Sequence, residues 1–241
     1  MRKIGRVVEV WRYPVSSVGG EQLERISVTP TAVVGDRRFA LFDSETGNPA
    51  APEEEPRWRP ALFLSAETGE DDLPRLRFPD GSAMGLSDAS LKTRLSDHFG
   101  FAAEAGAYGS SGTLPSVYNR YEVSPVHIVT TASLARLAEL AGTGEADRRR
   151  FRPSILIETD EGDGFVENGW IGRPIVIGDI GVAITEATRR CGLTLSAQPG
   201  IEKRPEMLRT VIRHNNRNLG VYGEPHASGI IAAGDAVYAD F

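Results

Sequence analysis

The sequence predicts a β-rich α+β fold with a few short helices, and three observations carry that prediction. Short apolar runs rich in Val, Ile, Phe and Tyr recur along the chain, each closed by glycine, proline or aspartate. Helical periodicity or composition appears in only three stretches. The 26 glycines and 15 prolines among 241 residues supply the turn chemistry that many short strands need.

Taken in order, Val7 to Tyr13 reads as a strand ended by Pro14, followed by a loop, Val15-Ser16-Ser17-Val18-Gly19-Gly20, whose hydroxyls and backbone N–H groups suit an anion or a plain polar turn. Leu23 to Val28 is the next strand. Gly35-Asp36-Arg37-Arg38 then opens a strand through Phe39 and Leu41, with Arg37 starting on their face; Asp36 or an anionic ligand is its expected partner. Asn48 to Pro60 reads as an exposed loop with Glu53-Glu54-Glu55 as a solvated run, and Leu62–Ser65 and Leu73–Phe78 as strands. Ser87 is expected to cap a helix carrying Leu91, Leu95 and Phe99, with Gly100 as its stop. Phe101 to Ser116 is rich in Gly, Ala and Ser and is the expected junction between two halves, 1–112 and 113–241.

In the second half Val126–Val129 is a strand containing His127, which reads as a satisfied structural histidine. Thr130 and Thr131 lead into a helix with Leu134, Leu137 and Leu140, ended by Gly142. The cluster Arg148-Arg149-Arg150-Phe151-Arg152 precedes the strand Ile155–Ile157 and is either a solvated charge run or a local anion site. Ile175–Ile177, Val182–Thr188, Leu219–Tyr222 and Ile230–Tyr238 read as strands, and Pro205–Arg213 as a helix. There is no internal repeat and no glycine fingerprint of a nucleotide fold.

The net charge of −6 argues against general nucleic-acid binding. No apolar run is long enough to span a membrane, and a cytoplasmic location is expected. The chain holds one cysteine, Cys191, so it forms no internal disulfide and no cysteine-rich metal site. That cysteine follows Arg189 and Arg190. Cations beside a thiol favour the thiolate, the form that attacks electrophiles and binds metals. If the strand from Val182 stays extended, Arg189 and Cys191 share one face and Arg190 the other, while Gly192 leaves the sulfur uncrowded. A small buried hydrophobe is the alternative reading of the same residue.

Tyr13-Pro14-Val15-Ser16-Ser17, Gly35-Asp36-Arg37-Arg38-Phe39, Thr130-Thr131-Ala132-Ser133-Leu134, Phe151-Arg152-Pro153-Ser154, Trp170-Ile171-Gly172, Thr188-Arg189-Arg190-Cys191 and Gly229-Ile230 with Gly234-Asp235 occur in an order that resembles the MOSC superfamily with its N-terminal β-barrel partner. The resemblance implies a MOSC-type β-barrel (113–241) packed with a β-barrel-like N-terminal domain (1–112). It also implies a molybdenum cofactor, a pyranopterin, with Cys191 as the metal thiolate and catalytic residue, and Ser16, Ser17, Arg37, Arg152, Ser154, Arg189 and Arg190 around the phosphate and pterin. Ser16 stands where the family pattern has lysine, and Ser154 where it has asparagine. Losing one charge-assisted contact costs about 1.5–3 kcal/mol. The implied activity is reduction of a small N-hydroxylated or N-oxide substrate, with electrons from a separate donor protein. Two alternatives remain: sulfur transfer through a persulfide on Cys191 fed by a sulfur donor, and a non-catalytic anion-binding module.

Overall fold

A computed structural model describes residues 1–69, 72–109, 114–120 and 125–241. The expected boundary at 112/113 lies outside the described residues.

The first strand, β1 (Arg2–Arg12), doubles back through the Tyr13–Gly20 loop to pair with β2 (Glu21–Leu23). β3 (Arg25–Thr29), β4 (Ala32–Val33) and β5 (Phe39–Asp43) follow, then β6 (Ser65–Thr68), β7 (Pro74–Arg77) and β8 (Ala83–Gly85), which form a meander. Helix α1 (Leu91–Phe99) and β9 (Ala103–Tyr108) complete this part, with β9 antiparallel to β5 and β10 (Ser116–Val117) added to its other edge. The remaining elements are β11 (Val126–Thr130), α2 (Thr131–Ala141), β12 (Ile155–Thr159), β13 (Pro174–Ile177), β14 (Ile180–Arg189), α3 (Pro205–His214), β15 (Asn218–Pro225), β16 (Gly229–Ala232) and β17 (Ala236–Ala239).

Seven strands close into a barrel in the order β12-β11-β15-β14-β13-β17-β1, and β1 pairs back onto β12. β11 and β12 are parallel, while the other neighbours are antiparallel. The strand nearest the N-terminus is therefore a stave of a barrel otherwise made by the last half of the chain. Alternation decides what fills it: Val7, Val10, Val126, Ile128, Ile155, Ile157, Ile175, Ile177, Val182, Val221 and Val237 point inward and are buried. Each such side chain contributes about 1.5–3 kcal/mol on leaving water. On the outside of the wall Val129, Leu156 and Leu219 meet Leu134 and Leu137 of α2 and Met207 and Val211 of α3. A separate core gathers Val15, Val18, Phe39, Leu41, Trp58, Leu64, Leu76 and Leu95 under the N-terminal sheets.

Several sequence expectations change. Leu62–Ser65 is not a strand: Pro56–Phe63 is a 3-10 helix, with Pro56 fixing its first turn, and pairing begins at Ser65. Asn48–Pro60 is not simply exposed, since Ala50, Ala51 and Trp58 are buried. Ser90, not Ser87, precedes α1, and Asp88 Oδ1 accepts the N–H and hydroxyl of Ser90. Within Phe101–Ser116 the residues Ala103–Tyr108 form a paired strand, because small side chains pack against β5 where large ones would not fit. The ends of α2 are as expected: Thr130 accepts the Ser133 N–H, and Gly142 turns left-handed at φ 65°.

Candidate functional site

The site grows from the point where β1 leaves the barrel. Tyr13 is buried; its N–H donates to Asp36 Oδ1 at 2.6 Å, its carbonyl accepts the Arg37 N–H at 2.7 Å, and its hydroxyl donates to the Pro153 carbonyl at 3.3 Å. The returning chain must pass close over this ring. A Cβ on Gly20 would lie 2.5 Å from a ring carbon and 2.4 Å from the Arg12 carbonyl, so only glycine fits there. Two guanidinium groups sit against the ring, Arg152 at 4.2 Å and Arg37 at 5.1 Å from its centroid. Burial pushes the phenol up to about 12 even though both cations pull it down.

Arg37 and Arg152 come from different halves of the sequence and share a backbone peculiarity. Their φ angles are 47° and 54°, and Ser17 beside them has φ 65°. Non-glycine residues adopt this left-handed conformation at a cost, and such residues concentrate at functional sites. Arg37 pairs with Asp36 and donates from Nη2 to the Arg152 carbonyl at 3.5 Å. Burial alone would lower its pKa, but the Asp36 carboxylate raises it. Arg152 donates from Nη1 to the Val18 carbonyl at 2.6 Å, while its Nη2 is buried without an acceptor. Burial, and then the charge of Arg37, push its pKa down to about 10.

The third cation is Arg190. The alternation expected from the sequence holds in part: Arg189 is exposed and paired across to Asn218, while Arg190 is buried. It is Arg190, not Arg189, that joins the other arginines. It donates from Nη2 to the Phe151 carbonyl at 2.8 Å, and its Nε is buried without an acceptor. Burial lowers its pKa, while Tyr222 and Cys191 act in the other direction and Arg37 adds repulsion. Among the described residues only Arg37 of these three guanidinium groups has a carboxylate in contact.

Cys191 follows at the end of β14. It is half-buried and its carbonyl accepts the Thr194 N–H at 3.2 Å, which starts a 3-10 turn over Gly192–Leu195. Arg150 clamps that turn from behind through the carbonyls of Thr194 (3.3 Å), Ser196 (3.2 Å) and Glu202. In front, Gly192 lies against residue 53: a Cβ there would be 3.3 Å from the Glu53 carbonyl. Glu53 is largely buried and paired with Arg120 at 2.8 Å, which takes it out of the expected solvated run, while Glu54 is exposed as expected and Glu55 partly exposed.

The expected anion cluster at 148–152 divides. Arg148 pairs with Glu9, Arg149 with Asp147, Arg150 holds carbonyls, and Arg152 alone reaches the site. Ser17 donates from its hydroxyl to the Ala50 carbonyl at 3.3 Å, and the Ser16 N–H donates to the Phe39 carbonyl at 2.8 Å. Ser154 is buried with its oxygen toward the His127 N–H at 3.5 Å, so its hydroxyl ties β12 to β11.

The profile of the MOSC domain matches residues 107–238, and that of the MOSC N-terminal beta barrel domain matches residues 4–108. The chain belongs to the MOSC family. Among curated proteins it is similar to mitochondrial amidoxime reducing component 2 of Bos taurus, 25% identical over 291 aligned positions that cover 99% of this chain and 84% of that protein. Among solved structures the YUAD protein from Bacillus subtilis superposes with a TM-score of 0.51 at 11% identity, over 98% of this chain and 96% of that one. That likeness concerns the fold.

Within this MOSC chain the cations lie on the outer flank of the barrel, where the N-terminal core meets it. Val126 and Ile128 point into the barrel, so His127 between them points out, toward Tyr222 and the Arg152 carbonyl. Sequence reasoning missed the parts played by Tyr13, Glu53 and Arg120. Tyr13 stood directly before the Pro-Val-Ser-Ser motif, which was the available signal. An anionic group fits what is present among the described residues: two buried guanidinium N–H groups without acceptors, three cations with one carboxylate in contact, and a half-buried thiol on the residue after Arg190.

Proposed function

We propose that this MOSC protein binds a molybdenum cofactor and reduces N-hydroxylated or N-oxide compounds. The observation that carries the reading is the convergence of Arg37, Arg152 and Arg190 from three distant segments, Arg190 being the residue before Cys191, with Arg152 Nη2 and Arg190 Nε buried and lacking acceptors among the described residues. Buried N–H groups are almost always satisfied, so two orphans in a cationic cluster call for an anionic acceptor.

Arg152 and Arg37 would hold the cofactor's phosphate, both set against the Tyr13 ring. Arg190 would neutralise charge next to the sulfur, and the Cys191 thiolate would be the protein's bond to the metal. Ser16 and Ser17 line the same loop and would contribute hydroxyl contacts, since the Ser16 N–H is taken by the Phe39 carbonyl. The bound cofactor supplies a two-electron centre able to break an N–O bond, with two protons consumed and water released. The electrons come from a separate donor protein. The name of the curated relative, an amidoxime reducing component, supports this substrate class.

The test is metal analysis of protein made in a host that synthesises the cofactor. Stoichiometric molybdenum that is lost in Cys191→Ala, with an unchanged circular dichroism spectrum, is expected. Protein without molybdenum from such a host, or Cys191→Ala with undiminished metal and activity, rejects the proposal.

A further inference from the structure

The segment Phe151–Ser154 is held by its carbonyls, each taken by a donor from a different element. Phe151 O accepts from Arg190, Pro153 O from the Tyr13 hydroxyl, and Ser154 O from the Trp11 N–H at 2.8 Å. Arg152 O is met by two donors, Arg37 Nη2 at 3.5 Å and His127 Nδ1 at 3.2 Å. His127 is also bound to the segment through its backbone: its carbonyl accepts the Ser154 N–H at 2.8 Å, and its N–H faces Ser154 Oγ at 3.5 Å. One residue of β11 thus fixes both ends of the turn that carries Arg152.

The imidazole itself is immobilised. Gly220 has φ 83°, and a Cβ at that position would lie 2.7 Å from His127 Nε2, so the ring occupies the space that a side chain on β15 would fill. Its other face is near Tyr222, with ring centroids 5.4 Å apart. Burial, with help from Arg190 and Arg37, keeps the ring neutral. A neutral imidazole has one proton, and a carbonyl partner requires that proton on Nδ1.

We propose that His127 is a positioning residue for anion binding: its Nδ1–H holds the Arg152 carbonyl, keeps Arg152 in the left-handed conformation, and so aims the unpartnered Nη2 at the ligand's phosphate. The backbone conformation at φ 54° is disfavoured for arginine and persists because its carbonyl is pinned. Without the pin the residue relaxes toward negative φ and the guanidinium leaves its place over Tyr13. This role rests on the anion site of the proposed function, and it concerns phosphate affinity rather than the chemistry at Cys191.

The experiment is calorimetric titration of the cofactor-free full-length chain with inorganic phosphate, in buffer without sulfate. Five proteins are compared: wild type, Arg152→Ala, His127→Leu, His127→Asn and the double variant His127→Leu/Arg152→Ala. Asparagine places an N–H donor where Nδ1 stands, and leucine places none. His127→Leu is expected to weaken phosphate about tenfold, equivalent to about 1.4 kcal/mol, and His127→Asn to restore most of that loss. In the Arg152→Ala background the leucine substitution has no further effect, which separates positioning through Arg152 from general loosening. Three results overturn the role: equal affinity of His127→Leu and wild type, equal losses for leucine and asparagine, or additive losses in the double variant. Failure of the site itself is distinct, because then wild type binds no phosphate or Arg152→Ala binds as wild type does, and the role of His127 falls with it. If His127→Leu does not fold, the comparison of His127→Asn with His127→Gln decides, since glutamine places its donor nearer the Nε2 position; equal affinity of the two overturns the role.

Discussion

Arg152 is a charge kept in a place that disfavours it, and the anion site proposed around it gives a prediction with a counterintuitive sign. An arginine stays protonated at neutral pH, so the fall of its pKa from 12.5 to about 10 measures what the cation costs the folded state. At 1.36 kcal/mol per unit that cost is about 3 kcal/mol. Replacing Arg152 by methionine removes it but also removes the charge-assisted bond to the Val18 carbonyl, worth about 1.5–3 kcal/mol. The net expectation is a gain of about 0–1.5 kcal/mol. For a chain of 241 residues the unfolding entropy is about 0.5 kcal/mol per degree, so Arg152→Met melts level with wild type or up to about 3 °C above it in anion-free buffer. Phosphate at a hundred times its Kd stabilises wild type by about 2.7 kcal/mol, or about 5 °C, and leaves the variant unmoved, so wild type then melts above it. Differential scanning calorimetry with and without phosphate reads both numbers. Arg152→Met melting below wild type without anion, or rising as much as wild type with it, would show that the buried cation is already satisfied and that the site is not an anion site.

Tyr13 gives an alkaline signature: its phenol is held neutral up to about 12, so its contribution to stability is full below pH 10 and is lost as pH rises from 10 to 12. Tyr13→Phe abolishes that loss in urea unfolding series across this window, and an unchanged slope contradicts the assigned burial. Glu167 is buried with its carboxyl receiving the hydroxyls of Thr130 at 2.7 Å and Ser133 at 2.5 Å, and burial raises its pKa despite both bonds. The native state therefore binds the proton more tightly, and stability falls as pH climbs from about 4.5 through the folded pKa. Glu167→Gln flattens that decline in melts between pH 4.5 and 8, whereas Glu167→Leu strands two hydroxyls and costs about 2 kcal/mol at the acid end, a difference that narrows as wild type declines toward pH 8. Gly20→Val, facing the Tyr13 ring and the Arg12 carbonyl, is expected to cost over about 2 kcal/mol and to abolish phosphate binding, as calorimetry on the same preparation will report.

The barrel was legible because its staves obey a local rule: β-branched residues at alternate positions, as in Ile155–Ile157 and Ile175–Ile177, ended by glycine or proline. The Trp58 region was not, because a short apolar run flanked by prolines suits a 3-10 helix as well as a strand, and only packing on Phe99 and Phe101 decides. At the site, arginine next to the lone cysteine was visible, and strand alternation separated Arg189 from Arg190. Which of the two would face Arg37 depended on how the barrel wall meets the N-terminal core, and no local pattern contains that. His127 was readable as a polar interruption of an apolar strand. Its contact with Arg152 bridges 25 residues and follows from the parallel pairing of β11 with β12.

Because the opening strand is wedged between β12 and β17, the barrel has a seam that joins residues near opposite ends of the polypeptide, Arg2 facing Ala239. Such distant pairing is slow to form and comes after local hairpins are in place. Tyr13, the ring both arginines lie against, is anchored by that same strand, so a nascent chain lacking its last staves has no cradle for a phosphate. On the proposed function, cofactor capture would be deferred to the finished molecule, and a shortened chain would forfeit it even with every arginine present.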